Sequence, residues 1–234
     1  MSFSTLLAQA EAADSFGQLA PPMQIAILLG AMSFATAALI SLTAFTRIVI
    51  VLSFVRRALS TTEIPPNQVM LGLSFFLTLF VMAPTIEQIN ERGVQPYMEA
   101  QESEETRHDF ALPELFEVCK SEIRAFMTVH TRGDDLQLFV DLSQMPQPES
   151  VSSVPLKILI PAFIISELKT AFIMGFCIYI PFLLIDLVIS AILMSLGMMM
   201  MPPVIVSTPC KLLLFVLVDG WQLVSKALVG SFLT

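Results

Sequence analysis

The chain has 234 residues, of which 55% are hydrophobic and only 14% charged, with a mean hydropathy of +0.78. A soluble domain carries about a quarter charged residues, so most of this chain avoids bulk water, in a membrane or inside an assembly. Its net charge of −8 is concentrated: residues 87–149 hold 14 of the 20 acids and 5 of the 12 bases, which leaves +1 elsewhere and offers nucleic acid nothing.

The N-terminal segment, residues 1–22, contains "MSFSTLLAQAEAADSFGQ". No Lys or Arg precedes Arg47, and the apolar stretch is too short for the central region of a signal peptide. "AQA" at residues 8–10 resembles a cleavage site only faintly, so cleavage is not expected.

Residues 23–86 read as a first apolar helical hairpin. Its first limb, residues 23–55, carries one charge, Arg47. As a single helix it would be about 50 Å long, more than a bilayer core requires. Gly30, Ala31, Ala35, Ala37, Ala38 and Ala44 give it small faces for close helix approach. The hairpin turns at "RRALSTTEIPPN", and the second limb, "NQVMLGLSFFLTLFVMAP", is expected to stop at Pro84. Arg56 and Arg57 in the turn place it on the cytoplasmic side by the positive-inside rule. The acidic segment then lies on the opposite side.

That segment, residues 87–155, reads as a small helical domain. Within residues 113–130, Leu115, Phe116, Cys119, Ile123, Phe126 and Met127 recur at helical spacing. Glu114, Glu117, Lys120, Ser121 and Arg124 take the other face, which predicts an amphipathic helix. Asp134 and Asp135 precede "LQLFVDL" as the expected cap of a second helix. A Pro/Ser-rich linker, residues 144–155, leads back to apolar sequence.

Residues 156–234 read as a second apolar hairpin. Residues 156–194 are interrupted by "SELK" and Pro181, and "GMMMMPP" at residues 197–203 forms the turn. "PVIVSTPCKLLLFVLVDGW" returns from it. The architecture is therefore all-α, with membrane-associated hairpins and a small extracytoplasmic helical segment.

Six charges stand inside apolar runs: Arg47, Glu167, Lys169, Asp186, Lys211 and Asp219. Each costs about 2.5–3.5 kcal/mol or more at a helix centre facing lipid. Glu167 and Lys169 are two residues apart and cannot face each other on a helix. Each therefore needs a partner from another segment or chain. Asp186 and Lys211 lie at comparable distances from the methionine turn, and a hairpin closed there brings them level. These residues could be register-holding pairs, a proton or ion relay, or contacts between subunits.

Catalysis finds little support. Asp186 and Asp219 lie in separate apolar segments, as in an intramembrane aspartyl protease. Yet "VLV" precedes Asp219 where a Gly-x-Gly pattern would be needed. His108 and His130 have no second ligand at helical spacing, so no metal or cofactor is expected. Cys119, Cys177 and Cys210 have no disulfide or zinc spacing, and the latter two read as buried hydrophobes.

"FTRIVIVLSFVRRAL", "PPNQVMLGLSFFLTLFVMAP", "ISELKTAF", "IPFLLIDLVISAILMSLGMMMMPP" and "KLLLFVLVDGWQL" closely resemble the FliP family of flagellar export-gate proteins, which includes the SctR subunits of injectisomes. "RAFMTVHTRGDDLQLF" resembles the flagellar branch. The resemblance implies a channel-forming subunit of the type III export gate in the bacterial inner membrane, at the flagellar basal body. It implies a pentameric ring of copies with FliR-, FliQ- and FlhB-like subunits, which passes unfolded flagellar proteins.

The family's methionine constriction maps onto Met198, Met199 and Met200, with Met201 beside them. Methionine is unbranched, flexible and polarizable, so a ring of them can seal and still yield around a polypeptide. Gly197, Pro202 and Pro203 set the bend. Without the resemblance, the methionines read first as side chains that fill a hairpin turn, and the resemblance reverses that reading. Two features depart from the family pattern: many relatives begin with a cleavable signal peptide, and many carry Phe at the position of Cys210. The alternative function is a self-sufficient ion or solute transporter with a relay through Asp186 and Glu167. Such a protein often carries internal repeats, and none is evident here.

Overall fold

The computed structural model of the chain describes residues 20–61, 64–102, 112–143, 153–198 and 200–233, and all regular structure among them is helical. The chain divides into two compact units, Met1–Ser41 and Leu42–Thr234. The first contains nearly all of α1 (Pro21–Leu42), a 22-residue helix that opens on two prolines. Proline suits the first helical turn because the N–H it lacks would be unpaired there anyway. At about 1.5 Å per residue α1 is about 33 Å long, which matches a bilayer core.

The second unit begins within the apolar limb over residues 23–55, which as a single helix would exceed a bilayer core. The helix instead breaks at Thr43 and Ala44, and α2 (Phe45–Ala58) restarts. The Thr43 hydroxyl accepts the Phe45 N–H at 3.3 Å, drawing that donor out of the helical ladder. One face of α2 is buried through Arg47, Ile48, Val51, Leu52, Val55 and Ala58.

α3 (Asn67–Ile89) runs through Pro84 rather than stopping there, and continues by a π turn, Asn90–Val94, into α4 (Gln95–Glu102). A proline removes one rung of the ladder, but neighbouring helices and local readjustment sustain such helices in apolar surroundings. Its buried face carries Ser74 and Thr78, whose hydroxyls donate to the carbonyls of Met70 and Ser74 at 2.8 and 2.7 Å. The polar atoms are thus satisfied within the helix.

The acidic segment supplies α5 (Leu112–His130) and α6 (Gly133–Leu142). Phe126 and Met127 are buried as the helical spacing implies, but Phe116 is 67% exposed. Asp134 and Asp135 do not cap α6. They occupy its first turn, where a negative charge suits the helix dipole, and Arg132 stands at the N-cap without a side-chain bond. Of the expected 144–155 linker, residues 144–152 lie outside the described residues, as does His108.

α7 (Leu156–Ser195) is one helix of 40 residues, with "SELK", Pro161 and Pro181 inside it rather than interrupting it. It is about 60 Å long, roughly twice a bilayer core. α7 is the axis of the unit: α2, α5, α6 and α8 (Pro203–Leu217) all pack on it, α2 most extensively. α8 returns antiparallel to α7, with the Phe182 and Phe215 rings 6.3 Å apart. The run expected to continue from α8 is broken at Val218 and Asp219, and α9 (Gly220–Leu233) leaves at 65°.

α1, the α3–α4 run to Ala100, and α7 are each long and apolar enough to cross a membrane, and α8 with α9 forms a bent pair that passes the same test. The fold is all-α and built for apolar surroundings. Cys177 and Cys210 are exposed on the chain rather than buried. They sit on helix faces that no other described residues cover.

Candidate functional site

Five of the six charges embedded in apolar sequence find partners within the chain. Arg47, in the first turn of α2, and Glu167, on α7, form a two-pronged ion pair. Arg47 Nε donates to Glu167 Oε2 at 2.8 Å, and the second guanidinium nitrogen donates to Oε1. The remaining prong donates to the carbonyl and hydroxyl oxygens of Ser231 on α9, at 3.0 and 2.9 Å. The guanidinium also lies over the Phe232 ring, 3.8 Å from its centroid. Both charged side chains are buried. A planar fork with five donors suits such a node, because each prong points at a fixed acceptor.

His130 borders this node, its ring 4.6 Å from Phe126 and 5.2 Å from Phe232 between centroids. Burial, and secondarily the Arg47 charge, lowers its pKa to about 4. It is therefore neutral at neutral pH.

Lys169, two residues beyond Glu167, points elsewhere and meets Asp135 of α6 at 3.5 Å. Beside it the Ser166 hydroxyl accepts the Arg132 N–H at 3.0 Å and donates to the His130 carbonyl at 3.4 Å. The α5–α6 corner is thereby fastened to one turn of α7.

The third node lies toward the methionine turn. Lys211 of α8 donates to Asp186 Oδ2 of α7 at 2.5 Å and to the Ser60 hydroxyl at 2.7 Å. These are the two residues that a hairpin closed at the methionines was expected to bring level. Ser60 follows α2 with a φ of +56°, so the α2–α3 turn is tied to the α7–α8 hairpin. Asp186 Oδ1 and Ser207 Oγ are buried without a partner among the described residues.

Asp219 is the exception. It is exposed, makes no ion pair among the described residues, and has a φ of +50°. Its carbonyl accepts the Gln222 and Leu223 N–H groups at 2.9 and 3.1 Å, which starts α9.

The methionine turn is set by its backbone. At the end of α7 the Met198 N–H reaches back to the Leu193 carbonyl and the Gly197 N–H to the Met194 carbonyl, both at 3.0 Å. This paired closure requires a left-handed residue, and Gly197 supplies it with φ +76°. Pro202 and Pro203 then open α8, with Pro203 at its first position. Met200 is 99% exposed, and Met198 and Met201 are each 39% exposed. With Gly197, Pro202 and Ile205 they line a shallow open depression. Met199 lies outside the described residues.

Sequence reasoning missed Ser60, Ser231, Phe232, Ser166 and the pairing role of Asp135. One signal was present: a guanidinium has more donors than one carboxylate can accept, so Arg47 required further acceptors. Nothing marked Ser231 as the supplier. Among the described residues no three His, Cys, Asp or Glu side chains converge on a metal-sized site.

The FliP family model matches residues 28–228. A curated relative from Bacillus subtilis, "Flagellar biosynthetic protein FliP", is 50% identical over 210 residues, covering 90% of this chain and 91% of the relative. Proteins of the same description from Pectobacterium carotovorum and Aquifex aeolicus are 48% and 43% identical. They match 90% and 92% of this chain, and 78% and 88% of their own lengths. With likeness of this depth along nearly its whole length, the chain belongs to the FliP family.

Proposed function

We propose that the chain is a channel-forming subunit of a flagellar type III protein export gate. Several copies, five by family analogy, stand around a central pore in the bacterial inner membrane at the flagellar basal body, with FliR-, FliQ- and FlhB-like subunits. Unfolded flagellar proteins pass through this pore. Residues 23–86 and 156–234 act as the two apolar hairpins, 87–155 as the extracytoplasmic segment, and Arg56 and Arg57 face the cytoplasm.

The observation that carries this reading is the methionine turn. Its backbone is locked at both ends, and its thioether side chains are held away from the chain's own core. On a single chain the exposed side chains of Met198, Met200 and Met201 pack against none of the chain's own core. Repeated around an axis, they form a soft apolar collar that closes by excluding water and yields to a polypeptide. The charge nodes also fit a scaffold better than a relay, because Glu167 and Asp186 are each held by a cation of the same chain.

The test replaces Met198, Met199, Met200 and Met201 by alanine in the assembled gate and measures ion leakage across the membrane. Leakage is expected to rise while assembly persists. Unchanged leakage through an assembled, open gate would overturn the assignment.

A further inference from the structure

The methionine turn is carried at the end of a hairpin with few holds on the rest of the chain. From Leu187 round the turn to Cys210, only Leu193 and Ser207 are buried among the described residues. The side-chain bonds in that stretch, Ser195 to the Ile192 carbonyl and Thr208 to the Val204 carbonyl, stay within their own helices. The Ser207 hydroxyl has no partner among the described residues. α8 buries three side chains spaced by four, Ser207, Lys211 and Phe215, so it rests on one seam. Phe215 meets Phe182 farther from the methionines than Lys211 does.

Lys211 is therefore the polar hold nearest the turn, and its two acceptors lie on different elements. Asp186 belongs to α7, whereas Ser60 ends α2, the helix packed most extensively on α7. Asp186 alone would fix the separation of α8 from α7 and leave α8 able to roll about it. A second acceptor on a separate element removes that freedom.

Ser60 is itself anchored. Its N–H donates to the Arg57 carbonyl at 3.0 Å, and the adjoining Ala58 and Leu59 are buried. Its φ of +56° is left-handed backbone, where glycine would be the easier residue. Strain of this kind persists where the surroundings over-determine it and often serves a function. What serine supplies there, and glycine cannot, is the oxygen that accepts from Lys211.

Met198 lies 12 residues beyond Asp186 and Met201 lies 10 before Lys211. The turn thus stands on arms of about 15–18 Å, and a tilt of about 10° at the junction displaces it by about 3 Å. Apolar contact needs heavy atoms within about 4.5 Å, so a displacement of that size decides whether facing side chains touch.

We propose that Ser60 is a positioning residue for the methionine constriction. By accepting from Lys211 it sets, together with Asp186, the angle at which the α7–α8 hairpin presents Met198, Met200 and Met201. This rests on the constriction reading above and adds what holds the constriction in place.

The experiment compares Ser60→Gly and Ser60→Asn with the parent chain, each assembled with its partners in potassium-loaded liposomes. Glycine removes the acceptor and suits the backbone; asparagine suits the backbone and keeps an acceptor. Complex size, melting and potassium efflux are read on the same samples. Ser60→Gly is expected to raise efflux severalfold with complex size and melting unchanged, and Ser60→Asn to restore efflux toward the parent. A spin label at the exposed Leu196→Cys, with Cys119, Cys177 and Cys210 replaced by serine, reads the turn directly. Distances between copies should shift or broaden by about 3 Å in Ser60→Gly.

Unchanged efflux with unchanged label distances in Ser60→Gly overturns the proposal. So does an efflux rise that only follows a fall in melting or complex size, since that assigns Ser60 to stability alone. The gate with Met198, Met199, Met200 and Met201 replaced by alanine is measured alongside. If it leaks while Ser60→Gly does not, the constriction reading stands and the positioning proposal falls. If neither leaks, the constriction reading fails and takes the proposal with it.

Discussion

The Arg47–Glu167 node allows a quantitative test of what a buried ion pair contributes. In Glu167→Gln the guanidinium stays buried and keeps the Ser231 oxygens and the Phe232 face, but loses the carboxylate it pairs with. Orphaning one partner of a buried pair costs about 3–5 kcal/mol, whereas replacing both by apolar residues of similar volume is often neutral. For a chain of this size each kcal/mol moves the midpoint of thermal unfolding by about 2–4 °C, so Glu167→Gln should melt about 6–20 °C lower. Arg47→Met combined with Glu167→Leu should recover most of that loss, because it removes both charges from the same cavity. Arg47→Lys should behave like the single variant, since an ammonium cannot address Glu167 and Ser231 together. Helix content followed by circular dichroism on the detergent-solubilised full chain reads all of these. The reasoning is refuted if Glu167→Gln melts within about 2 °C of the parent, or if the double variant is no more stable than the single one.

Three further outcomes follow from the packing. Gly220→Ala places a methyl carbon 2.2 Å from the Phe215 ring, which stands edge-on to Trp221 with centroids 5.2 Å apart. Overpacking of this kind costs about 1–3 kcal/mol, and a shift in the emission of the single tryptophan should accompany the loss. Lys211→Met leaves the Asp186 carboxylate unpaired and frees Ser60. Its melting loss should be smaller than that of Glu167→Gln because Asp186 is partly exposed, and Asp186→Asn in the same chain should reduce it. His130 titrates near 6.5 unfolded and near 4 folded, so between these values the unfolded chain binds more protons. Stability should therefore fall as pH drops from about 6.5 to 4, and His130→Phe should flatten that slope in unfolding measured across the same range.

The helices were legible where one physical signal acts alone. The hydrophobic runs marked α1, α3, α7 and α8, and the amphipathic spacing marked α5, because burial of an apolar face dominates those stretches. Prolines were read too strongly. Pro84 and Pro181 both lie inside helices, because apolar surroundings leave a backbone no water to turn toward and so favour keeping the helix despite a missing rung. The opposite error occurred at Thr43 and Asp219, where short polar side chains and local dihedrals break runs whose hydropathy is uninterrupted. Asp186 and Lys211 were placed together by counting outward from the turn. Arg47 and Glu167 lie 120 residues apart, and no local count could join them. The exposure of Cys177 and Cys210 was illegible for a related reason: composition marks a residue as apolar but not which neighbour covers it.

Asp219 shows how a charge can be present for its backbone. Its sequence setting suggested a buried ion seeking a partner, yet the structure exposes its carboxylate and gives it φ +50° at a 65° bend. Left-handed backbone is unfavourable for most residues and tolerated best by Gly, Asn and Asp. Its carbonyl starts α9, which carries Ser231 and Phe232 to the Arg47 node. The bend therefore determines whether that node can close. Asp219→Asn keeps the conformational tolerance and removes the charge, and should unfold within about 1 kcal/mol of the parent. Asp219→Val keeps neither, and should lose about 1–3 kcal/mol to backbone strain. The two variants separate the explanations cleanly when melted side by side. If Asn proves as damaging as Val, the charge matters in itself and the backbone account of this position is wrong.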